Sequence, residues 1–199
     1  MRLESYKLVF AVVGLIGVLL IATPAIADAI RLPAGEQFSE LYLLGPNQMM
    51  ENYPSNIAVN QNYSVYVGVG NQLGSSAYYI LYVKLGNETD PLPNADLGTP
   101  STLPPSYEYR FSIQNGMNWE SLLTFSVTNA SISGENSQIN TMQINNVAIN
   151  IDKSATWDSN STTFTYKLLF ELWIYNAQMN SIVYDNRFAD LNLNLTGNS

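Results

Sequence analysis

The sequence predicts an all-β protein, an antiparallel β-sandwich, preceded by one N-terminal transmembrane helix. Residues 8–27 form a run of 20 residues without a charge. After this run, short segments with alternating apolar and polar residues recur about every ten residues, separated by turns rich in Gly, Pro and Asn. No later segment shows the helical period of about 3.6 residues. A jelly roll or a small barrel would fit the same pattern and stays open as an alternative.

The N-terminal run, Leu8–Ala27, has the length of a membrane-spanning helix. At about 1.5 Å per residue it would cross the ~30 Å hydrocarbon core of a bilayer. Arg2 and Lys7 precede the run and Asp28 follows it. The positive-inside rule therefore predicts a single-pass cell-membrane protein with its N-terminus in the cytoplasm and its C-terminal part outside. Alternatively, Ala25–Ala27 resembles a signal-peptide cleavage motif, and the same domain would then be secreted.

This pattern divides the chain into three parts. We expect residues 1–30 to form the transmembrane segment, either anchor or signal peptide, residues 31–37 a juxtamembrane stalk, and residues 38–199 one extracytoplasmic β-sandwich domain. With 46% hydrophobic and 12% aromatic residues, a part of this size is long enough to bury a substantial core.

The alternating segments predict the strands of this fold. The segment at 162–175 is the longest, and because it is apolar on both faces it is expected in the centre of a sheet. The other strands are expected at 38–44, 63–70, 78–85, 107–113, 123–127, 141–144, 147–150, 182–184 and 191–195. Loops are expected at 86–106, which contains five prolines, at 131–138 and at 152–161.

Two turns show strong hairpin signals. Asn145-Asn146 would place Ile144 opposite Val147 and Met142 opposite Ile149, which keeps one face apolar. Asn115-Gly116 is also a typical hairpin turn. A two-residue turn there would place Phe111 opposite Glu120, however, and would mix apolar and polar residues on one face. We therefore expect a longer turn or a bulge between these two segments.

Composition excludes several functions. Beyond Arg31 the chain has 14 acidic and 5 basic residues, a net charge of −9, so a nucleic-acid partner is not expected. There is no Cys and no His, which excludes disulfides, thiolate metal sites, His-based triads and type-1 copper. Loop acids such as Asp90 and Asp96 match no calcium-loop motif. We expect no catalytic residue, no cofactor and no metal site.

Five asparagines lie in N-x-[ST] sequons, the acceptor motif for N-glycosylation. Because the domain is expected outside the cell, we expect at least one of them to carry a glycan. The five are Asn62, Asn87, Asn129, Asn160 and Asn194.

Four aromatic residues lie on strand faces opposite the main apolar sets. Tyr78 and Tyr82 alternate with the apolar residues of one strand, and Trp173 and Tyr175 do so on another. If exposed, these rings would form a binding surface for sugars or for a protein. If covered by a loop such as 86–106, they would be part of a second core.

Part of the sequence resembles a known family. The matching segments are Leu44-Gly45-Pro46, Tyr53-Pro54, residues 67–71 (VGVGN), residues 84–87 (KLGN) and residues 169–173 (LFELW) followed by Asn186-Arg187-Phe188. They resemble a family of uncharacterised archaeal membrane proteins with an extracytoplasmic immunoglobulin-like domain. The stretch 62–85 is also similar to adhesion-related modules on prokaryotic surfaces. The resemblance implies an immunoglobulin-like β-sandwich at a membrane; it implies no activity.

These observations predict a non-catalytic, membrane-anchored protein of the cell envelope that acts as a structural or protein-interaction module. Its partners would be the membrane and other envelope or membrane proteins, with glycans as a further class. One alternative is a carbohydrate-binding or adhesin module. Another is an accessory subunit of a larger membrane complex.

Overall fold

The computed structural model describes residues 4–29, 36–159 and 163–196, which form one helix and ten strands. The chain divides into two compact units, Met1–Gln37 and Phe38–Ser199. The elements are α1 (Glu4–Ala29), β1 (Ser39–Leu44), β2 (Asn56–Ile57), β3 (Tyr63–Asn71), β4 (Ala77–Asn87), β5 (Tyr107–Ile113), β6 (Asn118–Ser133), β7 (Asn136–Ile144), β8 (Val147–Asp158), β9 (Thr163–Asn176) and β10 (Ser181–Leu195).

Helix α1 is the regular element in the described part of the first unit. It spans 26 residues and includes the whole uncharged run. Within the ranges described here, no helix combines the length and the apolar character needed to cross a membrane. Residues 31–35 of the predicted stalk lie outside the described part of the chain.

The second unit is built from two sheets that share one strand. Sheet A has the strand order β1-β3-β6-β7-β8, and sheet B has the order β5-β4-β9-β10-β2. All neighbours are antiparallel except the short pair of β2 with β10. Strand β8 pairs with β7 up to Thr156 and with β9 at Trp157 and Asp158, so the two sheets form one curled sheet. The prediction of a mostly-β, predominantly antiparallel fold is confirmed.

The core lies between the inward faces of these sheets. The period of two puts alternate residues of each strand on this face, where apolar burial stabilises the fold by about 25 cal/mol per Å². Strand β9 pairs with β10 on one side and mainly with β4 on the other, so its predicted central position is confirmed. The largest fully buried side chains include Tyr79, Leu81, Leu123, Phe125, Ile139, Met142, Ile144, Tyr166, Leu168 and Phe170.

The hairpin at Asn145-Asn146 has the predicted register. Ile144 pairs with Val147 and Met142 pairs with Ile149. The two turn residues have φ angles of 49° and 65°, the left-handed conformation that a type I′ turn needs and that Asn tolerates.

The expected pairing around Asn115-Gly116 is wrong, because the strands on either side belong to different sheets. Strand β5 pairs with β4 in sheet B, and β6 pairs with β3 in sheet A. Asn71 stabilises this crossing: its main-chain oxygen accepts from Gly116 N (2.7 Å) and its Nδ2 donates to Ile113 O (2.9 Å). A hairpin at this turn would have an unfavourable register, and no such hairpin forms.

Two predicted loops are strands. Residues 131–138 form the ends of β6 and β7 around a turn at Gly134 (φ 59°), and β8 extends through most of 152–161 to Asp158. These segments are polar because they lie at the margin of the sheet with both faces partly in water, while the ladder needs only main-chain groups. The C-terminal strands predicted at 182–184 and 191–195 are one strand, β10, with a bulge between Tyr184 and Arg187.

Tyr42 packs on a glycine in the neighbouring strand. It is paired with Gly68 across β1 and β3, and a Cβ added at Gly68 would overlap the Tyr42 ring. Glycine in a strand lacks a side chain to pack, and an aromatic ring on the next strand covers the exposed main chain. The alternating glycines of the VGVGN segment therefore provide space for side chains from β1.

Candidate functional site

The outward face of sheet B carries the four predicted binding residues. Tyr78 and Tyr82 lie on β4, and Trp173 and Tyr175 lie on β9. The first three are half-buried, and Tyr175 is 43% exposed. The period of two brings them to one face, as the sequence indicates.

Their rings do not form one platform. Trp173 contacts Tyr82 edge-on, with ring centroids 5.6 Å apart. On its other side it contacts Tyr184 of β10 at 5.8 Å. Among the described residues, no ring contact joins Tyr78 or Tyr175 to this group; the Tyr175 hydroxyl donates to Asn180 Oδ1 (2.8 Å) instead.

Beside these rings, the same face holds a buried ion pair. Lys84 Nζ lies 2.7 Å from Glu171 Oε2, and the two side chains are 4% and 0% exposed. They stand on the side of β4 and β9 opposite the main core, together with the buried Ile80 and Leu169. Charges this deep are unfavourable unless they are paired and hydrogen-bonded. A lysine and a glutamate at outward positions of otherwise apolar strands were the sequence signal for this pair.

The ion pair binds the main chain of the proline-rich loop, residues 88–106. Ser101 N donates to Glu171 Oε1 (2.8 Å), and Lys84 Nζ donates to Ser101 O (3.0 Å). Trp173 Nε1 also donates to Glu171 Oε2 (3.3 Å). Both main-chain groups of Ser101 are therefore held by charged partners, and such hydrogen bonds are about twice as strong as neutral ones.

Further hydrogen bonds fix both ends of this loop. Asp90 Oδ2 accepts from Lys153 Nζ of β8 (2.8 Å) and from Asn87 N (2.8 Å). Ser106 N donates to Val83 O (2.8 Å). Burial tends to raise the pKa of the Asp90 carboxyl, but its hydrogen bonds and the Lys153 charge outweigh this and lower the pKa.

The centre of the loop has its own hydrogen-bonded turn. Asn94 and Thr99 exchange two main-chain hydrogen bonds of 2.8 and 2.9 Å, and Leu97 N donates to Asn94 Oδ1 (3.0 Å). Gly98 adopts φ +64°, which favours glycine. This turn presents Leu97 with its side chain 78% exposed. The loop therefore holds a large apolar side chain in solvent on a well-bonded backbone.

The neighbouring bulge of β10 contains two buried polar atoms without a hydrogen-bond partner among the described residues, Tyr184 Oη and Asp185 Oδ2. Burial, reinforced by the nearby Glu171 charge, raises the pKa of Tyr184 to about 12. Burial also raises the pKa of Asp185, against the opposing effects of Ser39 and Arg187. The sequence alone did not predict that these two side chains are buried, because the bulge that orients them has no clear sequence signal.

The sequons differ in their surroundings. Asn87 is half-buried; its Oδ1 accepts from the main chain of Thr89 and Asp90, and its Nδ2 donates to Ser154 O (2.8 Å). Asn194 is also half-buried and interacts with side chains on β9 and β2. Asn62 and Asn129 are exposed. Asn160 lies outside the described residues.

A second exposed aromatic residue lies away from this face. Trp157 on β8 is 41% exposed and contacts Phe164 edge-on, with ring centroids 5.1 Å apart. With Ile132, Gly134 and Glu135 these rings line an open notch of about 440 Å³. Within the described ranges, no three acidic side chains converge in a way that could hold a metal ion.

The chain has structural likenesses at low sequence identity. It is similar to a CARDB domain from Pyrococcus furiosus solved with di-metal ions, with 11% identity, a TM-score of 0.43, and 83% of this chain and 94% of that chain covered. It is similar to a complex of human zinc 2-glycoprotein and prolactin inducible protein, with 6% identity, a TM-score of 0.38 and coverages of 81% and 98%. A β-glucosidase from Listeria innocua shows 9% identity and a TM-score of 0.38; there, 81% of this chain matches 16% of the enzyme.

No curated protein matches the sequence. Residues 32–166, which include both strands that form the crossing at Asn71 and the whole proline-rich loop, match the family described as a domain of unknown function, DUF1616. The match covers more than half of the 199 residues. The chain therefore belongs to the DUF1616 family.

Proposed function

We propose that this chain is a non-catalytic protein-interaction module, anchored in the cell membrane by its N-terminal segment and displayed outside the cell. The observation that carries this proposal is the loop 88–106, which presents Leu97 in solvent on a backbone fixed by the Lys84–Glu171 pair. Binding loops held in one conformation lose little entropy on association, and a protruding apolar side chain is a typical anchor for a partner's pocket.

The charge of the loop indicates what kind of surface the partner should have. Residues 86–106 contain Glu88, Asp90 and Asp96 and no basic residue. Asp90 is paired with Lys153, whereas Asp96 is exposed and directly precedes Leu97 at the apolar tip. The partner's surface should therefore be an apolar pocket with basic side chains at its rim.

Two observations support the anchor. The run Leu8–Ala27 is uncharged, with Arg2 and Lys7 before it and Asp28 directly after it. In α1, large apolar side chains lie in the open, including Phe10 at 74% and Leu20 at 69% exposure. Such side chains require an apolar environment, which a bilayer supplies.

The interaction is tested on the full-length chain, solubilised from its native membranes in mild detergent and run on a native gel. The wild type is expected in a complex larger than a detergent-bound dimer of its 22.1 kDa chain. Leu97→Asp should lose this complex, because a carboxylate cannot enter an apolar pocket. Leu122→Asp, at an exposed position of sheet A (42%), should retain it. A complex unaffected by Leu97→Asp would contradict the proposal.

A carbohydrate-binding module is the second candidate, and the exposed rings of Tyr175 and Trp157 favour it. Aromatic faces in solvent are suitable for stacking on sugar rings. Glycan-array binding that is lost in Tyr175→Ala or Trp157→Ala, with the fold unchanged by circular dichroism, would support this candidate. Trp173→Ala is less informative, since its Nε1 is bonded to Glu171 and its loss would disturb the loop.

Glycosylation remains part of the proposal for an extracytoplasmic domain. Asn62 and Asn129 are exposed, although Asn129 Oδ1 accepts from Asn140 Nδ2 (3.4 Å), whereas the amide nitrogens of Asn87 and Asn194 donate to Ser154 O and Asn56 Oδ1. An intact mass equal to that of the bare polypeptide would contradict it.

A further inference from the structure

The outer edge of β8 between Val147 and Ile151 has no strand beside it among the described residues. Strand β8 pairs with β7 on one side over Val147–Thr156. Its only other pairing, with β9, involves Trp157 and Asp158 at its far end. Val147 is 50% exposed, and Ala148 and Asn150 are also exposed.

The main chain of this segment is available for pairing. The residues flanking a two-residue turn form a hydrogen-bonded pair, and antiparallel strands alternate from there. The main-chain groups of Val147 and Ile149 thus point to β7, and those of Ala148 and Asn150 point away from the sheet. Within the described part of the chain, no turn, loop or side chain bonds to these outward groups.

The free edge is sharply bounded. A register shift between Ile139 and Thr141 gives β8 a bulge, where Asp152 adopts φ 50°. Beyond the bulge the chain closes its own edge: Asn87 Nδ2 donates to Ser154 O (2.8 Å), and Lys153 binds Asp90 (2.8 Å). Along β8, the stretch that remains unprotected is Val147–Ile151.

This window also lacks the charges that usually protect an edge strand. Strand β1 carries Glu40 and β5 carries Glu108 and Arg110, whereas residues 136–151 contain no charged side chain. Exposed edges are normally protected from pairing by charges, prolines or bulges. In a chain with a net charge of −8, this is an edge that two identical copies can join without like-charge repulsion.

We propose that two copies of this chain associate through this edge, with the β8 strands antiparallel about a twofold axis. The hydrogen-bonded pairs would be Ala148 with Asn150 of the second copy and the reverse, which places Ile149 opposite its own equivalent. Such an isologous contact closes after two copies and joins the two five-stranded sheets A into one. The proposal is independent of the loop 88–106.

Single cysteines test the register directly, because the chain has none of its own. Non-hydrogen-bonded cross-strand neighbours have Cα atoms about 4.5 Å apart, within disulfide range. In the full-length chain in mild detergent, oxidised Ile149→Cys should form a disulfide-linked homodimer at least fivefold more than Val147→Cys, whose equivalents would lie about 13 Å apart along the strands. Ser112→Cys, on the β5 edge, is a second control and should stay monomeric.

A second pair of variants tests the edge itself. Adding Ala148→Pro to Ile149→Cys removes an outward N–H and should abolish the cross-link. Ala148→Lys, which keeps the N–H but adds a charge, should reduce it at least fivefold and gives an independent result if the proline variant fails to fold. The proposal is overturned by equal cross-linking at all three cysteine positions, by a monomer with Ile149→Cys, or by a disulfide to another protein instead of a second copy.

Discussion

At the residue scale, the bulge of β10 is unusual in the way it buries polar atoms. Tyr184 Oη and Asp185 Oδ2 are buried without partners among the described residues. A buried polar atom that lost its water and gained no hydrogen bond costs about 1–3 kcal/mol. Such costs are uncommon in native proteins. We therefore predict that substitutions that remove these polar or charged groups increase the free energy of unfolding, whereas most substitutions decrease it.

Tyr184→Phe should increase the free energy of unfolding by about 1 kcal/mol, because it removes a desolvated hydroxyl and keeps the ring. The matched control is Tyr166→Phe, whose hydroxyl bonds to Ser137 Oγ (2.8 Å) and whose loss should cost about 1 kcal/mol. Urea denaturation of both variants measures the difference. If both substitutions destabilise the protein equally, Tyr184 Oη has a partner in solution.

Asp185→Asn should stabilise the protein at pH 7 and lose this advantage in acid. Burial raises the pKa of Asp185 in the folded state, so folding favours the protonated carboxyl. The cost of the charged form is full above the folded pKa and vanishes as the pH falls below the ordinary value of about 3.9. Unfolding free energies of wild type and variant, measured between pH 7 and pH 3, should therefore converge as the pH falls.

The control for this comparison is Asp96→Asn in the exposed loop, which should change stability by less than about 0.5 kcal/mol at each pH. A gain in stability for Asp185→Asn that does not depend on pH would show that the pKa of the Asp185 carboxyl is not raised in the folded state.

At the element scale, the loop 88–106 is ordered by the strands beneath it. Its prolines limit the conformations of the free chain, but its fixed position comes from Lys84 and Glu171 of β4 and β9. A buried ion pair adds little net stability compared with a well-packed apolar pair, but removing one partner leaves an isolated charge in the interior.

Lys84→Met should therefore cost about 3–5 kcal/mol, because Glu171 would remain buried and unpaired. The double variant Lys84→Met/Glu171→Gln should be more stable than Lys84→Met, since Gln carries no charge and still offers an acceptor to Ser101 N. Urea denaturation of the wild type, both single variants and the double variant measures the coupling. Single variants that cost less than about 1 kcal/mol, or a double variant as unstable as the sum, would contradict this account.

The alternation of apolar and polar residues predicted most strands but not how they are arranged in sheets. The alternation in β3, β4, β5 and β9 was sufficient to place these elements, and one turn, Asn145-Asn146, also fixed a register. The polar margins at 131–138 and 152–161 were assigned to loops, because a strand with water on both faces has no apolar alternation. The crossing at Asn115-Gly116 depends on long-range sheet pairing, which no local signal encodes.

The candidate site was predicted only in part. Tyr82 and Trp173 come together as expected from their shared face, whereas Tyr184 joins them through a bulge and the Lys84–Glu171 pair connects residues 87 positions apart. The exposed Leu97 could not be distinguished from the other leucines of its loop, because exposure depends on the turn between Asn94 and Thr99.

At the scale of the whole molecule, three features agree with the proposal of a module displayed at a surface. An uncharged N-terminal run precedes a sandwich, the acidic loop presents an apolar tip, and the uncharged edge of β8 lies on a separate strand. A membrane anchor would confine the molecules and raise their effective concentration, so that contacts with small areas become sufficient for association.

The most direct test of the proposed function is site-specific photo-crosslinking in intact cells, with a photoreactive amino acid in place of Leu97. We expect one discrete adduct with a different protein, absent at the control position Leu122 and strongly reduced when Lys84→Met releases the loop. No discrete adduct at Leu97, or the same adducts at both positions, would contradict the account of the loop as a preformed binding surface.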